Sequence, residues 1–289
     1  MTDMAGKVVV ITGGNTGIGK EAAVGLAGLG AHVVITSRNE ERGRSARQEI
    51  AERSGNDSVE VMSLDLASFT SIRSFAADVL DRFDHVDVLV NNAGLILHRR
   101  AETREGFEET FGVNHLGHFL LTDLLLERLR ASAPARVVVV ASDAHKGARQ
   151  GLDFDDLQAE RKYKWAKAYS KSKLANIYFA RELSRRIDGT GVTVNALHPG
   201  FVRSEFGRGG DLGGIYGWGI KYIASPFAIS PEKGARTTIY LASSPDVEGV
   251  SGGYFYKSKP STPSTVAQDD DAASRLWDAS EKLVASVPA

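Results

Sequence analysis

The stretch that decides the fold is Thr12–Gly19, Thr-Gly-Gly-Asn-Thr-Gly-Ile-Gly, which directly follows the apolar run Val8–Ile11. A helical pattern over residues 17–29 begins within it. Glycines allow a tight turn and a close approach of the backbone to a bound group, while a helix N-terminus offers unpaired N–H groups and a positive dipole end. Because the loop joins a strand to a helix, it predicts a dinucleotide pyrophosphate site rather than a plain turn.

Short apolar runs recur along the chain and alternate with longer helical patterns. The runs are rich in Val and Ile, as strands buried on both faces should be. They lie at Val8–Ile11, His32–Thr36, Val59–Ser63, Val86–Val90, Arg136–Ala141, Val192–Leu197 and Gly253–Tyr256. The helical patterns cover residues 17–29, 40–53, 68–84, 103–130, 163–187 and 231–242. This alternation predicts an α/β fold in one domain over residues 1–289: a Rossmann-type, doubly wound parallel sheet of about seven strands with helices on both faces.

Two regions interrupt this alternation. Residues 205–230 combine seven glycines with five aromatic side chains, namely Phe206, Tyr216, Trp218, Tyr222 and Phe227. A glycine-rich backbone that carries large apolar groups predicts a lid that closes over a bulky, apolar substrate. A rigid insert whose aromatics pack into the core is the alternative. Residues 272–287 predict a terminal helix with one apolar face.

The composition excludes several classes of protein. Lys and Arg total 35 against 36 Asp and Glu among 289 residues, so we expect no broad electrostatic binding of nucleic acid. Cys is absent, which excludes disulfides and Cys-ligated zinc. His115 and His118 have helical spacing, but no third ligand completes a metal set, and we expect no metal. With no apolar window of about 18 residues and only Met1–Gly6 before the first run, we expect a cytoplasmic protein without a membrane anchor.

Further motifs follow the predicted strands, at the edge where open α/β sheets bind their ligands. In chain order they are Asp65-Leu66, Asn91-Asn92-Ala93-Gly94, Ser142 and Pro199-Gly200. Tyr169 and Lys173 lie four residues apart on a helical pattern and therefore share a face. A phenol titrates near pH 10, and a nearby ammonium favours the phenolate, which would bring the pKa of Tyr169 toward neutrality. A solvated helix with several lysines is the alternative.

The glycine spacing and the order of these motifs resemble the short-chain dehydrogenase/reductase family. Longer matches are similar to its retinol dehydrogenase branch, and so is the gap of 27 residues between Ser142 and Tyr169. These matches are Val113–Thr122, Ser142–His145, Ser172–Asn176, His198–Gly200 and Arg275–Asp278. The resemblance implies an oxidoreductase on the predicted fold, and a homodimer or homotetramer.

The resemblance also implies a catalytic tetrad. Tyr169 would be the general acid/base that protonates the nascent alkoxide, and Ser142 would hydrogen-bond the substrate oxygen as charge develops there. Lys173 would lower the pKa of Tyr169 and hold the ribose hydroxyls. The backbone of Asn114 would anchor a water molecule of the proton relay. Taken alone, Ser142 could equally be a strand-end cap, and Asn114 a polar group of the helix.

A wider set of residues is assigned to the cofactor, partly from the motifs and partly from the resemblance. The segment Pro199–Ser204 would pack on the nicotinamide, with Ser204 where the family often has Thr. The full candidate set is Gly13, Asn15, Thr16, Gly17, Ile18, Gly19, Ser37, Arg38, Asp65, Leu66, Asn92, Ala93, Gly94, Tyr169, Lys173, Pro199, Gly200, Val202 and Ser204.

The end of the second predicted strand indicates the choice of nucleotide. An NAD enzyme places an acidic side chain about 20 residues after the glycines, to accept from the ribose 2′-hydroxyl. Here Ser37-Arg38 occupy that point, and the next acid is Glu40. A guanidinium binds a 2′-phosphate in a bidentate manner while Ser37 donates another hydrogen bond, so we expect NADP(H) rather than NAD(H). A surface arginine without a ligand is the alternative.

Together these features predict an NADP-dependent oxidoreductase that interconverts a carbonyl and an alcohol. The expected substrate is a small molecule that is bulky and apolar. Two alternatives stay open: reduction of a C=C bond on the same scaffold, and a non-catalytic nucleotide-binding relative. The second would be marked by loss of the Tyr or the Lys, and both are present. Sugar-nucleotide epimerisation usually needs a C-terminal substrate domain, and only about 90 residues follow Gly200.

Overall fold

The computed structural model describes residues 3–202 and 228–288, which form a twisted sheet between two helical layers. Its strands are β1 (Val8–Ile11), β2 (His32–Ser37), β3 (Val59–Ser63), β4 (Val88–Asn91), β5 (Ala135–Val140), β6 (Val192–Leu197), β7 (Tyr254–Tyr256) and β8 (Lys259–Pro260). The strand order is β3-β2-β1-β4-β5-β6-β7-β8. Every neighbouring pair is parallel except the β7–β8 hairpin. The predicted doubly wound sheet is confirmed, with the short β8 added at its edge.

Seven longer helices of the described residues cover this sheet. They are α1 (Gly17–Ala27), α2 (Glu40–Ser54), α3 (Phe69–Arg82), α4 (Gly117–Ala131), α5 (Trp165–Arg186), α6 (Pro231–Ser243) and α7 (Asp270–Ala285). Among these residues, no helix has both the length and the hydropathy that a membrane span requires. The predicted terminal helix is present, and it begins at Asp270 because the Asp269 side chain accepts a hydrogen bond from the Ala272 N–H.

The helix predicted over 103–130 begins later than its pattern indicated. Gly106 has φ +85° and turns the chain, so that Glu102 and Glu108 pair as an antiparallel bridge. A short helical turn, Glu109–Phe111, follows, and Glu108 accepts hydrogen bonds from its N–H groups. A π-helical turn, Gly112–Leu116, then leads into α4. Turn chemistry at Gly106 therefore overrode the helical spacing of the first six residues.

Two hydrophobic cores lie on opposite faces of the sheet, and β1 shows how the sequence builds both. Val8 and Val10 face the core formed with α3, α4, α5 and α7. Val9 and Ile11 face the core formed with α1, α2 and α6. All four residues are buried, as a strand covered on both sides requires. This burial explains the continuous apolar runs of the sequence.

The strand order reverses at β1, which lies between β2 and β4. Loops that leave the carboxyl ends of β1 and β4 therefore diverge and leave a crevice, the usual ligand site of open α/β sheets. The segment after β6 reaches the same edge, where Val202 forms a parallel bridge with Ile229. Most of the predicted lid, residues 205–230, and the cofactor candidate Ser204 lie outside the described residues.

Candidate active site

The loop after β1 has a backbone that fits a pyrophosphate. Gly13 (φ +64°) and Gly17 (φ +54°) adopt left-handed conformations that favour glycine. A Cβ atom on Gly19 would lie 2.5 Å from both the Asn92 Nδ2 and the Gly13 carbonyl oxygen. Helix α1 has no acidic side chain in its first turn, so no carboxylate there offsets the positive end of its dipole. Only glycines leave this cradle open for a dinucleotide.

Side chains around the glycines complete the loop and connect it to β4. Asn15, Thr16 and Ile18 lie on its outer turn and are at least partly exposed. Thr12 is buried, and its Oγ1 accepts hydrogen bonds from the N–H groups of Asn92 (2.8 Å) and Ala93 (3.0 Å). Thr12 is the first residue of the glycine-rich motif, but the sequence alone gave it no role. The signal that could have found it is a hydroxyl at the end of a fully apolar strand.

The structure brings Lys173 and Asn114 beside the glycine that follows β4. Lys173 Nζ donates a hydrogen bond to the Val140 carbonyl oxygen at 3.1 Å and lies 5.8 Å from the centre of the Tyr169 ring. A Cβ atom on Gly94 would stand 3.3 Å from Lys173 Nζ and 3.2 Å from Asn114 Oδ1. The bare backbone of Gly94 therefore keeps the space beside the ammonium clear.

Asn114 lies within the π-helical turn and is completely buried. Its side-chain amide accepts from the Leu95 N–H and donates to the Leu95 carbonyl and to Ser172 Oγ, at 2.8–3.0 Å. Ser172 in turn donates to the Tyr169 carbonyl oxygen. Asn114 thus joins the segment after β4 to the helix that carries Tyr169. The alternative from the sequence, a polar group of its own helix, does not describe these contacts.

Ser142 is both a cap and a neighbour of Tyr169. Its Oγ accepts from the Ala144 N–H at 3.2 Å at the start of the 3₁₀ turn Asp143–Gly147, and it also hydrogen-bonds Tyr169. The catalytic and capping interpretations of Ser142 are therefore compatible. The cap fixes the Ser142 hydroxyl at the end of β5, within hydrogen-bond distance of Tyr169.

Burial controls the two titratable groups of the site. Desolvation raises the pKa of Tyr169 to about 12, while the hydrogen bond with Ser142 lowers it in part. Desolvation also lowers the pKa of Lys173 to about 8. The prediction that Lys173 lowers the pKa of Tyr169 is therefore wrong. The Lys173 ammonium donates its hydrogen bond to the Val140 carbonyl oxygen, and Ser142 is the neighbour that favours the Tyr169 phenolate.

The end of β2 carries the two residues of the nucleotide prediction. Arg38 is exposed. Ser37 is buried, and its hydroxyl donates to the Asn39 carbonyl oxygen at 2.8 Å. A hydroxyl has a single proton, so Ser37 uses it within the turn that carries Arg38, and its hydrogen bond to a 2′-phosphate stays a prediction.

The remaining cofactor candidates lie at the same edge of the sheet. Asp65 and Leu66 follow β3, where the Asp65 carboxylate accepts from the Ala67 N–H at 3.1 Å and Leu66 is buried. Gly200 has φ +89°, which lets the chain turn after Pro199. Val202 packs against α6, where a Cβ atom on Gly234 would lie 2.7 Å from Val202 and 3.3 Å from Ile18. Gly234 of α6 therefore lies against both the segment after β6 and the glycine-rich loop.

His115 and His118 have different partners. His115 Nε2 lies 2.8 Å from Ser280 Oγ on α7, while His118 Nε2 lies 2.9 Å from Thr12 Oγ1. Burial lowers the pKa of His115 to about 3 and of His118 to about 4. In the described part of the chain, no cluster of three or more His, Asp or Glu side chains could hold a metal ion.

Comparison with known proteins decides the family. The family model described as short chain dehydrogenase matches residues 7–153. The chain belongs to the short-chain dehydrogenase/reductase family. Within the family, mouse retinol dehydrogenase 14 is 45% identical over 97% of this chain and 86% of its own length. Human retinol dehydrogenase 12 is 47% identical over 97% of this chain and 87% of its own length. These relatives place the chain in the retinol dehydrogenase-like branch.

Similar solved structures support the same fold. A crystal structure of a Mycobacterium paratuberculosis protein has a TM-score of 0.78 and 34% identity, covering 99% of this chain and 96% of that one. Pseudomonas aeruginosa RhlG in an NADP active-site complex has a TM-score of 0.69 and 26% identity, covering 88% and 95%. This short-chain dehydrogenase is therefore an alcohol/carbonyl oxidoreductase that uses NAD(P).

Proposed function

We propose that this enzyme transfers hydride between NADP(H) and a bulky, apolar carbonyl compound or alcohol, with Tyr169 as the general acid/base. The observation that carries the proposal is the cluster of Ser142, Tyr169 and Lys173. It lies at the carboxyl ends of the strands, the same edge of the sheet as the glycine-rich loop. Ser142 hydrogen-bonds Tyr169, and Lys173 Nζ lies 5.8 Å from the Tyr169 ring centre.

The protonation state of Tyr169 favours the reductive direction. With a pKa of about 12, the phenol keeps its proton at neutral pH and can donate it to an alkoxide oxygen as that oxygen forms. The hydrogen bond with Ser142 orients the Tyr169 hydroxyl and places a second polar group beside the developing charge. When bound, NADP(H) supplies or accepts the hydride.

Lys173 is proposed to hold the ribose hydroxyls of the nucleotide. It is buried, it keeps its proton at neutral pH because its pKa is about 8, and the space beside its Nζ is kept clear by Gly94. Its bond to the Val140 carbonyl oxygen orients the ammonium at the end of β5. Asn114 is proposed to anchor a relay water through its carbonyl oxygen, which has a second lone pair besides the one facing His118.

The choice of NADP(H) rests on Arg38. Its guanidinium is exposed at the end of β2, where an NAD enzyme would carry a carboxylate. A planar guanidinium matches a phosphate in a bidentate manner. Two similar solved structures hold NADP, namely RhlG and a Beutenbergia cavernae protein described as an NAD(P)-dependent gluconate 5-dehydrogenase.

The apolar substrate is supported by the relatives. Curated relatives at 45–48% identity carry the name retinol dehydrogenase, and retinol is a long, apolar alcohol.

A substrate screen tests the proposal. NADPH oxidation is followed with short aliphatic, long-chain and polycyclic aldehydes and ketones, and with enones that match them, and products are identified by mass. We expect carbonyl reduction, with higher kcat/KM for the larger apolar compounds and for NADPH over NADH. Reduction of the C=C bond with the carbonyl intact, or equal efficiency with both nucleotides, would contradict it.

A further inference from the structure

His118 is the second residue of α4, and its ring bridges two parts of the site. Its Nε2 lies 2.9 Å from Thr12 Oγ1, at the start of the glycine-rich loop, and its Nδ1 lies 3.1 Å from the Asn114 carbonyl oxygen. The side chain is 3% exposed. An imidazole buried between two polar groups of an active site needs a chemical reason, because helix packing alone would be served as well by an apolar side chain.

The hydrogen-bond partners fix the protonation of this ring. A carbonyl oxygen only accepts, so the bond to Asn114 requires a proton on His118 Nδ1. Burial lowers the pKa of His118 to about 4, so the ring is neutral at pH 7 and its Nε2 accepts. Thr12 Oγ1 already accepts from the N–H groups of Asn92 and Ala93, and its own proton is therefore available for His118. The Val90 carbonyl oxygen is the more distant acceptor, at 3.3 Å.

This ring closes a continuous chain of hydrogen bonds through the site. On one side, Thr12 holds the end of β4 against the glycine-rich loop. On the other side, the Asn114 side chain holds Leu95 and, through Ser172, the helix of Tyr169. His118 connects the loop that would hold the nucleotide with the residue that positions the catalytic helix.

We propose that His118 is a positioning residue for hydride transfer, acting through Thr12 on the nucleotide loop and through Asn114 on the catalytic helix. The inference rests on the proposed function, and it adds a residue that the tetrad does not contain. Hydride transfer depends on the distance and angle between the two reacting centres, so a residue that ties their supports together controls the rate without touching either.

His115 provides a matched control. It lies three residues earlier, is 2% exposed, and has its pKa lowered to about 3 by burial. Ser280 Oγ donates to the Leu276 carbonyl oxygen, so it accepts from His115, whose proton is then on Nε2. His115 therefore has the opposite tautomer to His118 and attaches α7 rather than the nucleotide loop. A purely structural effect of replacing a buried histidine would appear at both positions.

The first experiment replaces each half of the ring separately. In His118→Asn the amide nitrogen takes the place of Nδ1 and keeps the bond to Asn114, whereas in His118→Gln the amide oxygen takes the place of Nε2 and keeps the bond to Thr12. We expect His118→Gln to keep the affinity for NADPH and lose about tenfold in kcat, and His118→Asn to show the reverse, as loss of one buried hydrogen bond predicts. His115→Gln should lower Tm and leave kcat and the NADPH Kd within about twofold.

The second experiment needs no turnover. Nitrogen-15 NMR of histidine-labelled protein without nucleotide distinguishes the two tautomers, and the signals are assigned by their loss in His118→Gln and His115→Gln. We expect a proton on Nδ1 for His118 and on Nε2 for His115 at pH 7. A proton on His118 Nε2, or equal falls in Tm with unchanged kcat and NADPH Kd at both positions, would overturn the inference. If the wild type binds NADPH but reduces no carbonyl, the proposed function fails, while the tautomer and the NADPH Kd still decide the role of His118.

Discussion

The two sides of this active site are built by opposite means. The nucleotide side, Thr12–Gly19 with Asn92–Gly94, consists of bare backbone, positive φ angles and space that a single Cβ atom would fill. The catalytic side, Ser142 with Tyr169 and Lys173, consists of titratable groups whose pKa values are moved by burial. The first side works because its glycines carry no side chains. The second works because polar side chains are held where water is scarce, which lowers stability.

Removal of the proposed proton donor should have the largest effect. Tyr169→Phe keeps the ring and loses the hydroxyl that Ser142 binds, so we expect kcat to fall ~10²–10⁴-fold. The Kd for NADPH, measured by fluorescence titration, should stay close to that of the wild type. Retention of more than half the wild-type rate, in a step limited by chemistry, would show that catalysis does not depend on this phenol.

Filling the nucleotide cradle should weaken NADPH binding and leave kcat nearly unchanged, the inverse of the effect expected for Tyr169→Phe. A Cβ atom in Gly19→Ala would lie 2.5 Å from the Gly13 carbonyl oxygen, and the required shift should weaken NADPH binding by about tenfold to a hundredfold. The kcat at saturating NADPH should change little, because the catalytic side is intact. Gly28→Ala, where φ is −64° at the far end of α1, is the control. Equal losses in both variants would place the effect in the helix rather than in the cradle.

Lys173→Met should separate stability from activity. Burial lowers the pKa of Lys173 from 10.5 to about 8, so the folded state holds a costly charge at pH 7. We expect the variant to lose turnover and to gain about 1–3 kcal/mol in the free energy of unfolding at pH 7.

The pH dependence of this gain has a definite sign. Between pH 8 and 10.5 the unfolded wild type binds more protons than the folded one, so wild-type stability rises with pH and the difference from Lys173→Met shrinks. Denaturant titrations at pH 7 and pH 10 measure it. Lys171→Met, on the same helix and partly exposed, should show no such convergence. A destabilised Lys173→Met at pH 7 would mean that the bond to Val140 outweighs desolvation.

The smallest effect is expected at the edge of the nucleotide side. Arg38→Ala should raise the Kd for NADPH by about fivefold to twentyfold and leave the Kd for NADH unchanged, since only NADPH offers a 2′-phosphate to a guanidinium. Arg44→Ala is the control, because Arg44 is exposed on α2 and pairs with Glu40. An equal loss of NADPH affinity in the two variants would mean that the preference for NADPH over NADH comes from general surface charge and not from Arg38.

Local sequence determined the sheet and the nucleotide loop. The bounds predicted for β1, β3 and β6 are those observed. β1 is apolar at every position because both of its faces are covered. The glycines of Thr12–Gly19 were found for a similar reason, since positive φ and close approach leave few other residues possible. The start of the helical segment at Glu109 was missed, because the turn at Gly106 competes with a spacing that also fits a helix.

Only the tertiary structure decided how the polar groups are used. The sequence placed Ser37 near a phosphate, but its proton is donated to Asn39. It placed Lys173 beside Tyr169, but it could not show that burial moves both pKa values away from neutrality. It gave His118 no role beyond an incomplete metal set, whereas the ring contacts Thr12, which is 106 residues away in the chain. Desolvation and hydrogen-bond partners depend on atoms that are distant in the chain, so they are fixed only when the chain has folded.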